Sequence, residues 1–178
     1  MKPVAFDYLR ADSIEEVLNA LAEYETDAVL LAGGMSLGPM LNMRLVRPSV
    51  LIDLNHVRDL DKTRISDNEI MTGATARQAD ILINQDVAVG TPLLTKALGF
   101  VGHFQTRNRG TMGGSVAHAD PGAEIPLALV TLGGEIELSS KRNRTRRIEA
   151  DNFFCGVLTT ERRPDEMLTS LHWPRQAP

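Results

Sequence analysis

Two glycine-centred segments carry the residue types best suited to chemistry. In Leu30-Leu31-Ala32-Gly33-Gly34-Met35-Ser36-Leu37 an apolar run ends in two residues without side chains, and a hydroxyl follows. Backbone free of Cβ atoms can approach a pyrophosphate closely and aim several N–H groups at it, with the Ser36 hydroxyl as a further donor. Arg109-Gly110-Thr111-Met112-Gly113-Gly114-Ser115 offers a similar backbone with hydroxyls at Thr111 and Ser115. Neither segment is a G-x-G-x-x-G fingerprint after a strand, and neither carries the lysine of a P-loop, so a Rossmann site or an NTPase is unsupported. A Gly-Gly pair also serves a structural turn. Two such segments in one chain add weight to anion binding while leaving both readings open.

Other reactive residues point to less. His118 and Asp120 have no third ligand nearby, so no metal is assigned; Asp120 beside Pro121 reads as a turn or helix cap. His103 has no partner motif. Cys155, after two phenylalanines, reads as a small buried hydrophobe. It is the one cysteine of the chain, which excludes an internal disulfide and an iron–sulfur cluster of its own, since a cluster takes about four thiolates. With 178 residues and a formal charge of −4, the chain has ordinary globular composition and no electrostatic reason to bind nucleic acid. The basic run Lys141 to Arg147 reads as a solvated turn. No apolar run is long enough to span a membrane, and Met1 to Asp7 lacks a signal peptide's apolar stretch, which predicts a cytoplasmic protein.

The elements that must position the two segments follow from periodicity. Ser13-Ile14-Glu15-Glu16 has capping-box spacing, with Ile14, Val17, Leu18, Leu21 and Ala22 on one helical face. Ala28 to Ala32 reads as a buried strand, Leu37 to Met43 as a short helix and Val50 to Leu54 as a strand. Arg64 to Ser66 and Glu69 to Thr72 flank Asp67-Asn68 as a hairpin. Thr75 to Gln78 repeats the capping-box spacing before a helix at Ala76 to Ile83, and Thr91-Pro92 opens another to Leu98. Ala123 to Leu132 reads as helical despite Pro126, and Glu135 to Ser140 as a strand.

The glycine segments also carry a resemblance. Ala32 to Leu37, with Pro39-Met40 and Arg44-Leu45-Val46-Arg47-Pro48, resembles the FAD-binding medium subunit of molybdenum hydroxylases, the xanthine dehydrogenase and carbon monoxide dehydrogenase family. The stretch Gly102 to Pro121 is similar to that family's second flavin motif at nearly every position, and the late segments Phe153 to Thr160 and Pro164 to Leu168 also resemble the family. The resemblance implies that Leu30, Leu31, Ala32, Gly33, Gly34, Met35, Ser36 and Leu37 on one side, and Thr111, Met112, Gly113, Gly114 and Ser115 on the other, grip the FAD pyrophosphate. It further implies that Glu124 contacts the sugar-like portion, and that Val101 and Leu168 lay apolar surface on the cofactor. Met35 stands where relatives often carry a polar residue.

The implied fold is α+β, a two-subdomain FAD-binding fold of the PCMH (vanillyl-alcohol oxidase-like) type. A small βαβ-like unit would span residues 1–55 and a larger unit on an antiparallel sheet residues 56–178, with FAD in the cleft between them. The implied function is electron relay with no catalytic acid, base or nucleophile of its own. Iron–sulfur clusters and a molybdenum cofactor on partner chains would feed FAD, which passes electrons to an acceptor such as NAD or a quinone. A stand-alone flavin dehydrogenase or reductase on the same fold, and a noncatalytic assembly module without FAD, are the alternatives. The family continues past the position of Pro174 with a further domain whose opening strand places a lysine near the flavin. Its absence from this sequence predicts weak FAD binding, and either self-association or a separate chain that supplies it. Valine at Gly33 or Gly113 should impair FAD retention more than folding.

Overall fold

The computed structural model describes residues 1–142 and 144–175. Its first part is a parallel three-stranded sheet in the order β1-β3-β2, made of β1 (Asp7–Arg10), β2 (Ala28–Leu31) and β3 (Val50–Asp53). Helix α1 (Ile14–Tyr24) crosses from β1 to β2. Ser13 caps it by accepting the Glu16 N–H, as the capping-box spacing requires, while the Glu16 carboxylate reaches back to the Asp12 N–H. Its buried Val17, Ala20 and Leu21 pack with Val50, Ile52 and Leu54 in one core. The short α2 (Leu37–Asn42) leads from β2 towards β3.

The second part is an antiparallel five-stranded sheet in the order β4-β5-β10-β6-β7. Its strands are β4 (Thr63–Ile65), β5 (Glu69–Gly73), β6 (Glu135–Ser140), β7 (Arg144–Glu149) and β10 (Glu166–Pro174). Strand β10 is central and buried from Glu166 to Trp173. Met167 belongs to the core under the parallel sheet, and Leu168, Leu171 and Trp173 to the second core, so this strand faces both. Strand alternation turns Met167 and Leu168 to opposite sides, and a register shift between Leu168 and Ser170 returns Leu171 to the core that Leu168 joins. Trp173 Nε1 donates to Thr72 Oγ1 at 3.0 Å, which satisfies both buried groups.

Helices cover this sheet: α3 (Gln78–Ile83), α4 (Gln85–Gly90), α5 (Pro92–Phe100), α6 (Phe104–Arg109), α7 (Met112–His118), α8 (Glu124–Thr131) and the single turn α9 (Ala150–Phe153). A two-stranded ribbon of β8 (Phe154–Gly156) and β9 (Thr159–Thr160) precedes β10. Pro126 lies in the first turn of α8, where its missing N–H costs nothing. Among the described residues no helix is long and apolar enough to cross a membrane.

Several sequence expectations need correction. Thr75 does not cap a helix: it is buried and its N–H bonds Leu60 O, so α3 starts at Gln78 with Arg77 in the cap position. Thr91 turns its hydroxyl back onto Val87 O instead of capping α5. Of the basic run, Asn143 lies outside the described residues, Lys141-Arg142 is a turn, and Arg144 to Arg147 form an edge strand. There Arg146 binds Glu166 at 2.7 Å, and Arg147 lies within 3.4 Å of both Glu69 and Glu135. Cys155 is exposed, because the β8–β9 ribbon leaves it at the surface. Of the two readings of Asp120 the turn holds and the cap does not: its carboxylate accepts the Gly122 N–H at 2.9 Å, and α8 begins at Glu124 without a side-chain cap.

A two-loop cradle between the sheets

The first glycine segment leaves β2 at its carboxyl end. Gly34 has φ +72°, a left-handed conformation suited to glycine, and Ser36 follows with φ −95°. Among the described residues the N–H groups of Gly33, Gly34, Met35, Ser36 and Leu37 make no hydrogen bond to protein, and the Ser36 hydroxyl caps nothing. Five consecutive unspent donors around a left-handed residue form a concavity for an anion, because each N–H otherwise lacks its obligatory acceptor.

The second segment touches the first directly. A Cβ added at Gly33 would overlap the Arg109 carbonyl oxygen and come within 3.0 Å of Gly110 Cα, so glycine is required there by the neighbouring loop. At Gly113 an added Cβ would lie 2.7 Å from Ala74 Cα, and at Gly114 2.6 Å from Thr111 Oγ1. Among the described residues most backbone donors of this segment are already committed, the Thr111 N–H excepted. Met112 N bonds Ala76 O at 3.0 Å, Gly113 N bonds Ala74 O at 2.9 Å, and Gly114 N bonds the capping Thr111 Oγ1 at 3.1 Å. On this side only the Thr111 N–H is left for a ligand, so the free backbone donors are concentrated on the first loop. One loop brings free N–H groups, and the other brings shape and the unpaired Ser115 hydroxyl.

A polar relay holds the loops together. Asp53, buried at the end of β3, accepts from Tyr8 Oη at 2.5 Å and from the Asn55 N–H at 2.8 Å. Asn55 Nδ2 donates to Ala32 O at 3.0 Å, and its Oδ1 accepts from Arg77 at 2.7 Å. Arg77 then donates to Arg109 O at 2.5 Å, the same carbonyl that abuts Gly33. Burial alone would raise the Asp53 carboxyl, but the hydrogen bonds from Tyr8 and Asn55 outweigh it and hold it below its ordinary value. Desolvation lowers the Arg77 guanidinium, with nearby Arg109 adding to the effect.

Behind the loops lies a cavity of about 440 Å³. Of the residues expected at the site, it is lined by Leu30, Ala32, Gly33, Gly34, Met35, Ser36, Leu37, Val101, Thr111, Gly113, Gly114, Ser115 and Leu168. Leu31, Met112 and Glu124 are not on its wall. Met112 is fully buried in the second core, Leu31 ends the parallel ladder, and Glu124 stands half-buried one residue beyond the lining Ala123. Sequence reasoning missed Gln78, Thr106 and Arg162, which also line it; their only signal was polar character in segments read as helix or loop. Gln78 Oε1 is buried without a hydrogen-bond partner, an acceptor left beside the cavity. A wider concavity of about 600 Å³ is lined by Glu69, Glu135, Glu149, Asp151 and His172, but His172 is already engaged by Ser170 and Glu69. Among the described residues no group of three or more potential ligands could hold a metal.

An anion cradle opening onto a largely apolar cavity between a parallel and an antiparallel sheet defines a dinucleotide-binding protein, and the residues present fit FAD. Residues 4–176 match the family model described as the FAD-binding domain in molybdopterin dehydrogenase. The chain is 39% identical over 175 residues to the 6-hydroxypseudooxynicotine dehydrogenase complex subunit alpha of Paenarthrobacter nicotinovorans, covering 98% of this chain and 59% of that protein. It is 33% identical over 174 residues to the carbon monoxide dehydrogenase medium chain of Hydrogenophaga pseudoflava, covering 98% of this chain and 60% of the relative. Among solved structures, quinoline 2-oxidoreductase from Pseudomonas putida 86 matches with TM-score 0.96 at 39% identity, over 99% of this chain and 61% of that one. The chain thus spans about three fifths of the length of these relatives. It belongs to the family of FAD-binding domains of molybdopterin dehydrogenases and has that family's α+β fold.

Proposed function

We propose that this chain is the flavin-carrying part of a molybdenum hydroxylase-type oxidoreductase, holding FAD in the cavity between its two sheets. The observation that carries the reading is the row of five unspent N–H groups at Gly33 to Leu37, seated where the loop meets that cavity. In this reading these donors and the Ser36 hydroxyl bind the pyrophosphate, Ser115 adds a donor from the opposite loop, and Val101 and Leu168 supply apolar contact. Glu124, near the cavity without lining it, would reach a sugar-like hydroxyl as an acceptor only after a side-chain movement. The division into units at residues 1–55 and 56–178 belongs to the same proposal, because it puts one loop on each side of the site.

FAD supplies the capacity to accept and release two electrons; this chain's residues bind it and orient it. The lone Cys155 gives the chain too few thiolates for an iron–sulfur cluster, so electrons reach the flavin from a partner chain that carries one. The relatives named above as a complex subunit and a medium chain support such an assembly, with a molybdenum-cofactor chain as its third part. NAD or a quinone is the proposed class of acceptor. The test is titration of the purified chain with FAD, followed by absorbance and by co-purification with cluster-bearing and molybdenum-bearing chains. Bound flavin together with those partners is expected. Flavin without partners would favour a stand-alone dehydrogenase, and a colourless chain that ignores FAD would favour an assembly module.

A further inference from the structure

We propose that Arg77 gives the anion cradle a full positive charge at one remove, as a positioning residue that acts through the Arg109 carbonyl; this rests on the FAD reading above and concerns the pyrophosphate alone. The Arg109 carbonyl oxygen lies against Gly33, the first of the five free amides, so closely that no Cβ fits between them. A bare carbonyl oxygen at that place turns partial negative charge towards a bound anion. Arg77 answers it: its Nη1 donates to that same oxygen at 2.5 Å, so one atom stands between the guanidinium and Gly33. The other fork, Nη2, goes to the neutral Asn55 Oδ1 at 2.7 Å. Among the described residues no carboxylate lies within ion-pair distance of Arg77; Asp80 and Asp53 reach it only through space. The charge of Arg77 is therefore left over for a ligand.

The arrangement is fixed before any ligand arrives. Arg77 is bound by its backbone into the second loop: it forms an antiparallel bridge with Thr111, while Ala76 O accepts the Met112 N–H and the Gln78 N–H donates to Gly110 O, both at 3.0 Å. Asp53 then decides which way Asn55 faces. Its Oδ1 accepts from Asn55 Nδ2 at 2.5 Å and from the Asn55 N–H at 2.8 Å, which leaves Asn55 Oδ1 turned to Arg77. Asn55 Nδ2 also reaches Ala32 O, just before Gly33, so the side chain that aims the guanidinium also holds the start of the free amides. A half-buried cation whose hydrogen bonds all end on neutral oxygens gains when an anion settles nearby. Arg77 is not on the cavity wall, so it acts on the ligand through its field and not by contact. The chemistry this favours is a pyrophosphate, whose paired negative charges feel that field; a flavin without phosphate does not.

The experiment titrates the full chain with FAD, ADP and riboflavin by calorimetry over a series of potassium chloride concentrations. ADP carries the pyrophosphate without the flavin, and riboflavin carries the flavin without phosphate. Parent, Arg77→Gln and Arg77→Lys proteins are compared. Glutamine keeps one donor and removes the charge, whereas lysine keeps the charge and gives up the planar fork. Arg77→Gln should bind FAD and ADP on the order of tenfold more weakly than the parent, hold riboflavin within about twofold, and show an ADP affinity that depends less on salt. Arg77→Lys should lie closer to the parent than to the Gln protein in ADP affinity and keep the parental salt dependence, although its urea midpoint is lower. Equal losses of ADP affinity in the two variants, or an unchanged salt dependence in Arg77→Gln, would overturn the assignment and leave Arg77 as a structural tie alone. Should the Gln protein fail to fold, the Lys protein decides: ADP affinity near the parent's despite a lower urea midpoint supports the charge, and affinity lost in step with stability overturns it. A parent chain that binds neither FAD nor ADP would instead overturn the cofactor reading beneath it.

Discussion

The side chain that Gly33 lacks would stand where the Arg109 carbonyl now is. Valine there must push the two loops apart, which overpacks a closed backbone contact at a cost of about 1–3 kcal/mol or more. Gly33→Val should therefore lose both urea stability and FAD affinity, and a variant with parental stability that merely fails to bind would contradict this. The sequence alone suggested that folding would suffer less than binding; the neighbour that decides otherwise is 76 residues away along the chain and left no local mark. Arg77 works on the same contact from the other side, tying Asn55 to Arg109 O. Arg77→Leu leaves two acceptors without their charged donor and should cost about 1–3 kcal/mol in thermal or urea unfolding, with a weaker FAD complex. Lysine cannot bridge both acceptors with a planar fork, so Arg77→Lys should restore only part of the loss.

The elements that were legible in the sequence are those with one wet face or a strong punctuation mark. Helix α1 announced itself by its cap and its apolar stripe, and β2 by an apolar run stopped at Gly33-Gly34. Strand β10 was hidden because both its faces are buried, so it has no alternation to read and carries Glu166, Thr169, Ser170 and His172 among its apolar residues. Strand β7 was hidden because Arg146 and Arg147 are paired with glutamates of three other strands, β5, β6 and β10, that sequence spacing does not reveal. The burial of β10 predicts that Leu171→Ala costs about 2–5 kcal/mol by urea unfolding, as cavity-forming core truncations do. Its first residue predicts an acid response. Burial would raise the Glu166 carboxyl, yet Arg146 and the Arg163 N–H bring it below its ordinary value. A carboxylate depressed in the folded state adds stability in full above its unfolded value, about 4, and loses it as pH falls through the lower folded value. The urea midpoint of the parent should hold steady above about pH 5 and fall below about pH 4. Glu166→Gln should start lower at neutral pH, because Arg146 loses its partner, and should fall less steeply in acid.

Across the whole molecule, two sheets with separate cores flank the cavity, and one strand of the antiparallel sheet faces both cores: Met167 and Leu168, adjacent in β10, belong to opposite ones. The two glycine loops could be recognised from composition and resemblance. Their division of labour could not, since it depends on which N–H groups the rest of the fold has already taken. Arg162 was equally invisible, an arginine in a charged turn whose carboxylate neighbour turns out to be occupied. The central claim is that the free amides of Gly33 to Leu37 hold the FAD pyrophosphate, and it is tested most directly by following the backbone amide resonances of the chain while FAD or riboflavin is added. Large shifts at Gly33, Gly34, Met35, Ser36 and Leu37 with FAD, and little movement there with riboflavin, are expected. Tight FAD binding that leaves these five amides unmoved would contradict the account.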